Sequence, residues 1–259
     1  MNVDNLPLWA ILALTSLYIV LVIYLGFKIG YIIRNKSDAE KESPASAISA
    51  TVLGLLAFIL AFTFGIVTNR FDTRRELTRE EANVIRDAWS RAEFLPEADQ
   101  KVAKMLLKEY VDIRIAAVQS NNLDEIQKVM KRSSVIQRDL WKMAVENARK
   151  DMNSDVAALY IESVNEVINY NALRISVGLQ TRIPSTIWIT LYLLIGFSMV
   201  TVGYQTAIAG SRRSGSIPIL AISFSLVVVL IVILDRPGSE FNSVSQQPLI
   251  NLQSEMANQ

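Results

Sequence analysis

The chemistry this chain can offer lies in charges set beside long apolar runs. Arg70, Asp72, Arg74 and Arg75 follow one such run, and Asp235 and Arg236 end another. Charged residues repeated around a ring of copies can select ions at a pore mouth. Their more frequent work is interfacial anchoring and local ion pairing. A second set precedes Arg70: Thr51, Leu55, Phe58, Phe62 and Asn69 share one helical face, polar at both ends and apolar in the middle. That face fits a pore lining in which Phe58 and Phe62 form an apolar constriction. It also fits a surface turned to lipid or to another span, the commoner meaning of such a face.

Other chemistries are closed off. The 259 residues include no cysteine and no histidine, which excludes disulfides, thiol nucleophiles, imidazole acid–base work and Cys/His zinc clusters. There is no Gly-rich phosphate loop and no nucleophile elbow, and Glu80 and Glu81 are adjacent, pointing in different directions on a helix. The expectation is a protein that is not an enzyme and uses no cofactor and no metal. A net charge of +1 gives no reason to expect nucleic acid as a partner.

The elements that must position these residues follow from composition. With 51% hydrophobic and 20% charged residues, apolar and charged stretches have to be segregated along the chain. Four apolar runs do this: residues 6–34, about 47–68, about 184–209 and about 217–234. The first keeps roughly 20 uncharged residues together before Lys28, enough to span a bilayer. It lacks the basic start of a cleavable signal peptide. Pro184 and Pro218 open the last two runs, where a missing N–H costs least. None of the runs holds an ionisable residue near its middle, which weighs against an ion-coupled pump.

The polar middle reads as helix throughout. Leu77, Val84, Ala88, Ala92 and Leu95 form one stripe ended by Pro96, with Asp87 and Arg91 as an i,i+4 ion pair. Val102, Leu106, Tyr110, Ile113 and Ala117 mark a second helix, which the segment 120–124 ends. Ile136, Leu140 and Met143 mark a third, and Val156, Tyr160, Val164 and Val167 a fourth. No strand alternation occurs. The expected fold is all-α and membrane-integral: transmembrane helices 1 and 2 in 1–69, a helical extramembrane domain in 70–183, helices 3 and 4 in 184–235. The tail, 236–259, is expected to pack on that domain.

Ala50, Gly54, Ala57, Ala61, Gly65 and Thr68 recur on one face of the second span, the pattern that lets helix backbones approach closely in lipid. This face is expected to be buried against another helix, with Leu60 on a different, tolerant face. Orientation rests on charge. The short loops carry Arg34, Lys36, Lys41, Arg212 and Arg213, with Lys28 nearby, while the tails carry only Arg236. The positive-inside rule then leans the 70–183 domain to the extracytoplasmic side. Arg70, Arg74, Arg75 and Arg79, on the domain side, bring the count close to a tie.

The run LLAFILAFTFGIVTNRFDTRRELTREEANVI (55–85), with LPE (95–97), YVDIR (110–114) and the tail LDRPGSEFNSVSQQPLINLQSEM (234–256), resembles the bacterial bestrophin-like membrane proteins. The resemblance covers most of the chain from about Ala47 to Met256. It implies an analogy to the bestrophins: pentameric anion channels with four spans per subunit, a helical domain between the second and third, and a neck of apolar rings from the second span. Phe58 and Phe62 stand four apart in a comparable place. Two features depart from the analogy. Bestrophins keep the domain in the cytoplasm, and the acidic calcium clasp of the animal channels is not found.

No proline or glycine interrupts the chain between Gly65 and Leu95, so one helix is expected to leave the bilayer unbroken. Residues 70–95 alone would reach about 40 Å at 1.5 Å per residue. The expected function is a homo-oligomeric ion channel of the inner (plasma) membrane, in contact with the lipid bilayer and with ions. The alternative is a non-conducting scaffold or sensor whose domain binds a partner.

Overall fold

The computed structural model describes residues 6–36, 42–120, 123–210, 215–236 and 244–258. Lys41, Arg212 and Arg213 of the expected loops, Asn121 and Asn122 of the expected break, and residues 237–243 and 259 of the tail lie outside them. Eight α-helices and no strand occur among the described residues: α1 (Leu8–Lys36), α2 (Glu42–Arg91), α3 (Glu97–Ser120), α4 (Leu123–Ala148), α5 (Asp155–Ile175), α6 (Ser185–Ile208), α7 (Ile217–Asp235) and α8 (Gln247–Ala257). Four of them, α1, α2, α6 and α7, are long and apolar enough to cross a membrane. The fold is all-α and membrane-integral. The chain divides into two compact units, 1–69 with 182–236, and 70–181 with 237–259.

In the membrane unit, α1 packs on α6 and α7. Its closest contact is made by glycines. A β-carbon built on Gly26 of α1 would stand 2.1 Å from the Val200 carbonyl oxygen of α6, and one on Gly30 would stand 2.9 Å from the Ala207 β-carbon. Lipid tails are as apolar as leucine, so such close packing, rather than oil leaving water, holds spans together. Hydroxyls add to it. Ser16 Oγ donates to Ser225 Oγ at 2.9 Å and Tyr18 Oη to the Tyr192 carbonyl at 3.1 Å. The small-residue contact is therefore between α1 and α6, whereas the sequence pattern pointed to α2. Lys28, between the two α1 glycines, lies over the Tyr24 ring at 5.1 Å.

In the second unit, residues 70–91 of α2 pack with α3, α4, α5 and α8 around Ile85, Leu107, Ile136, Leu140, Tyr160 and Val164. Of the first stripe, Val84 and Ala88 on α2 and Ala92 and Leu95 just past its end are buried, while Leu77 is half-buried. The α3 stripe is displaced. Val102 is exposed, and Ala103 and Leu107 face the core with Leu106 and Tyr110. Val156, at the start of α5, is exposed too. Arg91 does not take Asp87 as its partner. It donates to the Leu159 carbonyl at 2.9 Å and meets Glu162 at 3.4 Å, because α5 presents both within reach.

One charge lies deep in this core. Glu81 is fully buried and accepts from Tyr110 Oη at 3.0 Å, from Arg174 Nη1, and lies 3.1 Å from Arg114 Nη2. Burial pushes the Tyr110 phenol upward, so its hydroxyl stays protonated and serves as a donor. The carboxylate thus ties α2 to both α3 and α5. Helix α8 closes the same core with Leu249, Leu252 and Met256, and Gln253 donates to Asp112 at 2.7 Å.

Candidate functional site

The membrane-spanning part of α2 has three distinct sides. Leu56, Leu60, Thr63 and Val67 are buried against the other spans. Polar groups from α6 hold that side in register: Ser198 Oγ donates to the Val52 carbonyl at 3.3 Å, and Gln205 Nε2 to Ser46 Oγ at 3.1 Å. Leu60, expected on a tolerant face, is only 5% exposed and belongs to this core. The expectation fails because α2 seats on its large aliphatic residues, not its small ones. Ser198 and Gln205 went unread in the sequence, though polar side chains inside an apolar run are a visible signal for interhelical bonds.

The small-residue side is turned outward. Ala50, Gly54, Ala57, Ala61 and Gly65 are exposed, and a β-carbon built on Gly54 or Gly65 would meet nothing within 4 Å. Within the chain, then, this face is not packed against a helix as expected. Ala57, Ala61 and Phe64 instead form one wall of an apolar groove of about 450 Å³, whose other wall is Phe224, Val227 and Leu230 of α7.

The third side carries Thr51, Leu55, Phe58, Phe62 and Asn69, and all five are exposed. Phe58 and Phe62 are 66% and 62% exposed, one turn apart, pointing away from the rest of their own chain. Thr51 Oγ1 donates to the Ala47 carbonyl at 2.8 Å, which turns its hydroxyl back onto its own helix. The side chains on this outward side are therefore apolar in the middle.

The charged candidates separate by unit. Arg70, Asp72, Arg74 and Arg75 are on α2 in the second unit, where Asp72 and Arg75 pair at 3.9 Å and Arg75 lies over the Phe71 ring at 5.9 Å. Asp235 and Arg236 are in the membrane unit and stitch helix ends together. Asp235 Oδ1 accepts from the Ile183 N–H at 3.1 Å, and its carbonyl accepts from Arg182 Nη1 at 2.8 Å. Arg236 Nη1 donates to the Leu6 carbonyl at 2.8 Å. Among the described residues no group of three or more acidic side chains could hold a metal ion.

The comparisons with known proteins fit this architecture. A crystal structure of a membrane protein matches with a TM-score of 0.66 at 13% identity, covering 97% of each chain, which is a likeness of fold. No curated protein matches the sequence. The model of the Bestrophin-like domain matches residues 31–249, from the end of α1 into α8, and the chain belongs to the bestrophin-like family.

Proposed function

We propose that the chain is one subunit of an oligomeric ion channel in which α2 lines the pore and Phe58 and Phe62 form its constriction. The outward projection of these two phenylalanines carries the reading. They sit opposite the buried side of α2, and with Leu55 they leave a strip of apolar side chains that no other span of the chain covers. In a ring of copies, such strips face one another across the axis and form stacked apolar rings that resist ion passage by dewetting. Four spans enclose no channel alone, so several copies are needed, and analogy with the bestrophins makes the number five. Their place is the inner (plasma) membrane, with the 70–181 unit on the extracytoplasmic side.

Purified protein in planar bilayers tests this. The double variant Phe58→Ala, Phe62→Ala is expected to conduct more than the wild type and to gate less, since the constriction is removed without adding charge. Arg70, next to Asn69 at the end of the strip, is placed to favour anions, so Arg70→Glu is expected to shift preference towards cations. Silent bilayers for wild type and double variant, with the oligomer intact, would overturn the channel and leave α2 as a strut between a scaffold or sensor domain and the membrane.

A further inference from the structure

Helices α4 and α5 carry complementary lines of charge on the sides they turn away from the core. On α4, Lys131, Arg138 and Lys142 fall at i, i+7 and i+11, which is one line along a helix, Arg149 follows one residue past its end, and all four are exposed. On the outer face of α5, Asp155, Glu162 and Glu166 fall at i, i+7 and i+11. The first two are exposed and the third is half-buried.

The two helices pack side by side and reverse direction across residues 149–154. Residues equally far from that reversal therefore stand at one level: Arg149 with Asp155, Lys142 with Glu162, and Arg138 with Glu166. Inside one chain these levels go unused. Arg138 and Lys142 reach only acids on their own helix, both at 3.8 Å. Glu162 meets Arg91 of α2 yet stays 63% exposed. Apolar side chains flank both lines, with Trp141 exposed on α4 and Leu159 and Leu173 exposed on α5.

We infer that the partner of the α4 line is the α5 line of a second copy of this chain. This pairing requires a ring whose axis runs along α4 and α5, since such a rotation keeps every residue at its own level. The rotation therefore sets each basic residue opposite the acid that shares its level, and repeats the contact at every subunit. Exposed ion pairs are individually weak. The charges choose partner and register, while the flanking apolar side chains supply adhesion. This contact rests on the reading of the protein as a ring of copies.

The chain has no cysteine, so Lys142→Cys and Glu162→Cys can be introduced singly. Co-expressed and oxidised in the full-length protein, the two variants are expected to give mixed cross-linked dimers, and neither variant alone to give any. Charge reversal by Arg138→Glu with Lys142→Glu is expected to lower the oligomer-to-monomer ratio in detergent at least tenfold. Adding Glu162→Lys and Glu166→Lys to the same chain is expected to restore it, which separates lost pairing from misfolding. An intact wild-type oligomer with no mixed cross-links, and with charge reversal without effect, overturns this contact and leaves the ring standing. A monomeric wild type overturns the ring reading, and the contact with it.

Discussion

Gly203 of α6 crosses Ile23 of α1 so closely that a β-carbon built on it would stand 2.0 Å from the Ile23 carbonyl oxygen and 2.8 Å from the Phe27 nitrogen. Backbone cannot yield as a flexible side chain can, so any larger residue has to part the two helices. Gly203→Ala is expected to destabilise the membrane unit by about 1–3 kcal/mol, as overpacking does elsewhere. Gly54→Ala, on the outward face of α2, is expected to leave the folded subunit unchanged. Thermal melts of detergent-solubilised protein check both. Equal melting temperatures for the two variants would contradict the crossing. Should Gly54→Leu lose oligomer while keeping a folded subunit, the small face packs between copies.

Glu81 is expected to be the most sensitive single position in the second unit. Glu81→Gln leaves Arg114 and Arg174 without their shared counter-charge, and breaking one side of a buried pair costs about 3–5 kcal/mol. Tyr110→Phe removes one hydrogen bond to the same carboxylate and is expected to cost about 1 kcal/mol. Denaturant titration followed by tryptophan fluorescence measures the order of the two. A Glu81→Gln variant no weaker than Tyr110→Phe would show that the carboxylate does not hold α2 in place.

What could be read from the sequence, and what could not, follows from the kind of interaction involved. Spans and helices were legible because apolar runs and 3.6-residue periodicity depend on local composition. Spacing on one helix put Phe58 and Phe62 on a common face, but did not set the direction in which that face points. The seat of α2 was not legible. Both its small side and its aliphatic side are apolar, and only the identity of the neighbouring span decides which is buried. Gly26 and Gly30 carry no sequence signal that sets them apart from other glycines in an apolar run; only the approach of α6 makes them a contact. Glu81 had a signal that went unused: it falls with Thr78, Ile85 and Ala88 on a buried stripe, and a carboxylate there demands partners from other helices.

Sidedness is open to labelling. Met152 is 81% exposed in the second unit, and Asn35 is exposed near the end of α1. With single cysteines at these positions in intact cells, an impermeant thiol reagent is expected to label Met152→Cys and not Asn35→Cys. The reverse pattern would place the second unit in the cytoplasm, as in the bestrophins.

Glu109 and Arg132 form a two-pronged pair, with Nε to Oε1 at 2.5 Å and Nη2 to Oε2 at 2.6 Å. The hydrogen bonds from Arg132 hold the Glu109 carboxyl below its usual value, against a smaller opposing effect of burial. A carboxyl depressed in the folded state adds stability that is complete above its unfolded value and is lost as pH falls through the folded one. Melting temperature is therefore expected to fall below the ordinary glutamate range, and less so for Glu109→Gln. Because the pair is exposed, the difference is expected to be small and to shrink in high salt. Parallel acid profiles for the two proteins would contradict this.

The ties at Asp235 and Arg236 bear on how the protein is made. Asp235 holds the amide just before α6, and Arg236 holds the carbonyl of Leu6, 230 residues earlier in the chain. A ribosome delivers residues in order, so the first span waits until Arg236 has been made before its leading end is fastened. The third span likewise waits for the last turn of the fourth. Chains arrested just short of Asp235 are expected to leave the amino ends of α1 and α6 open to protease. Release a few residues later should protect both together, making the arrival of the end of α7 the moment at which the membrane unit locks.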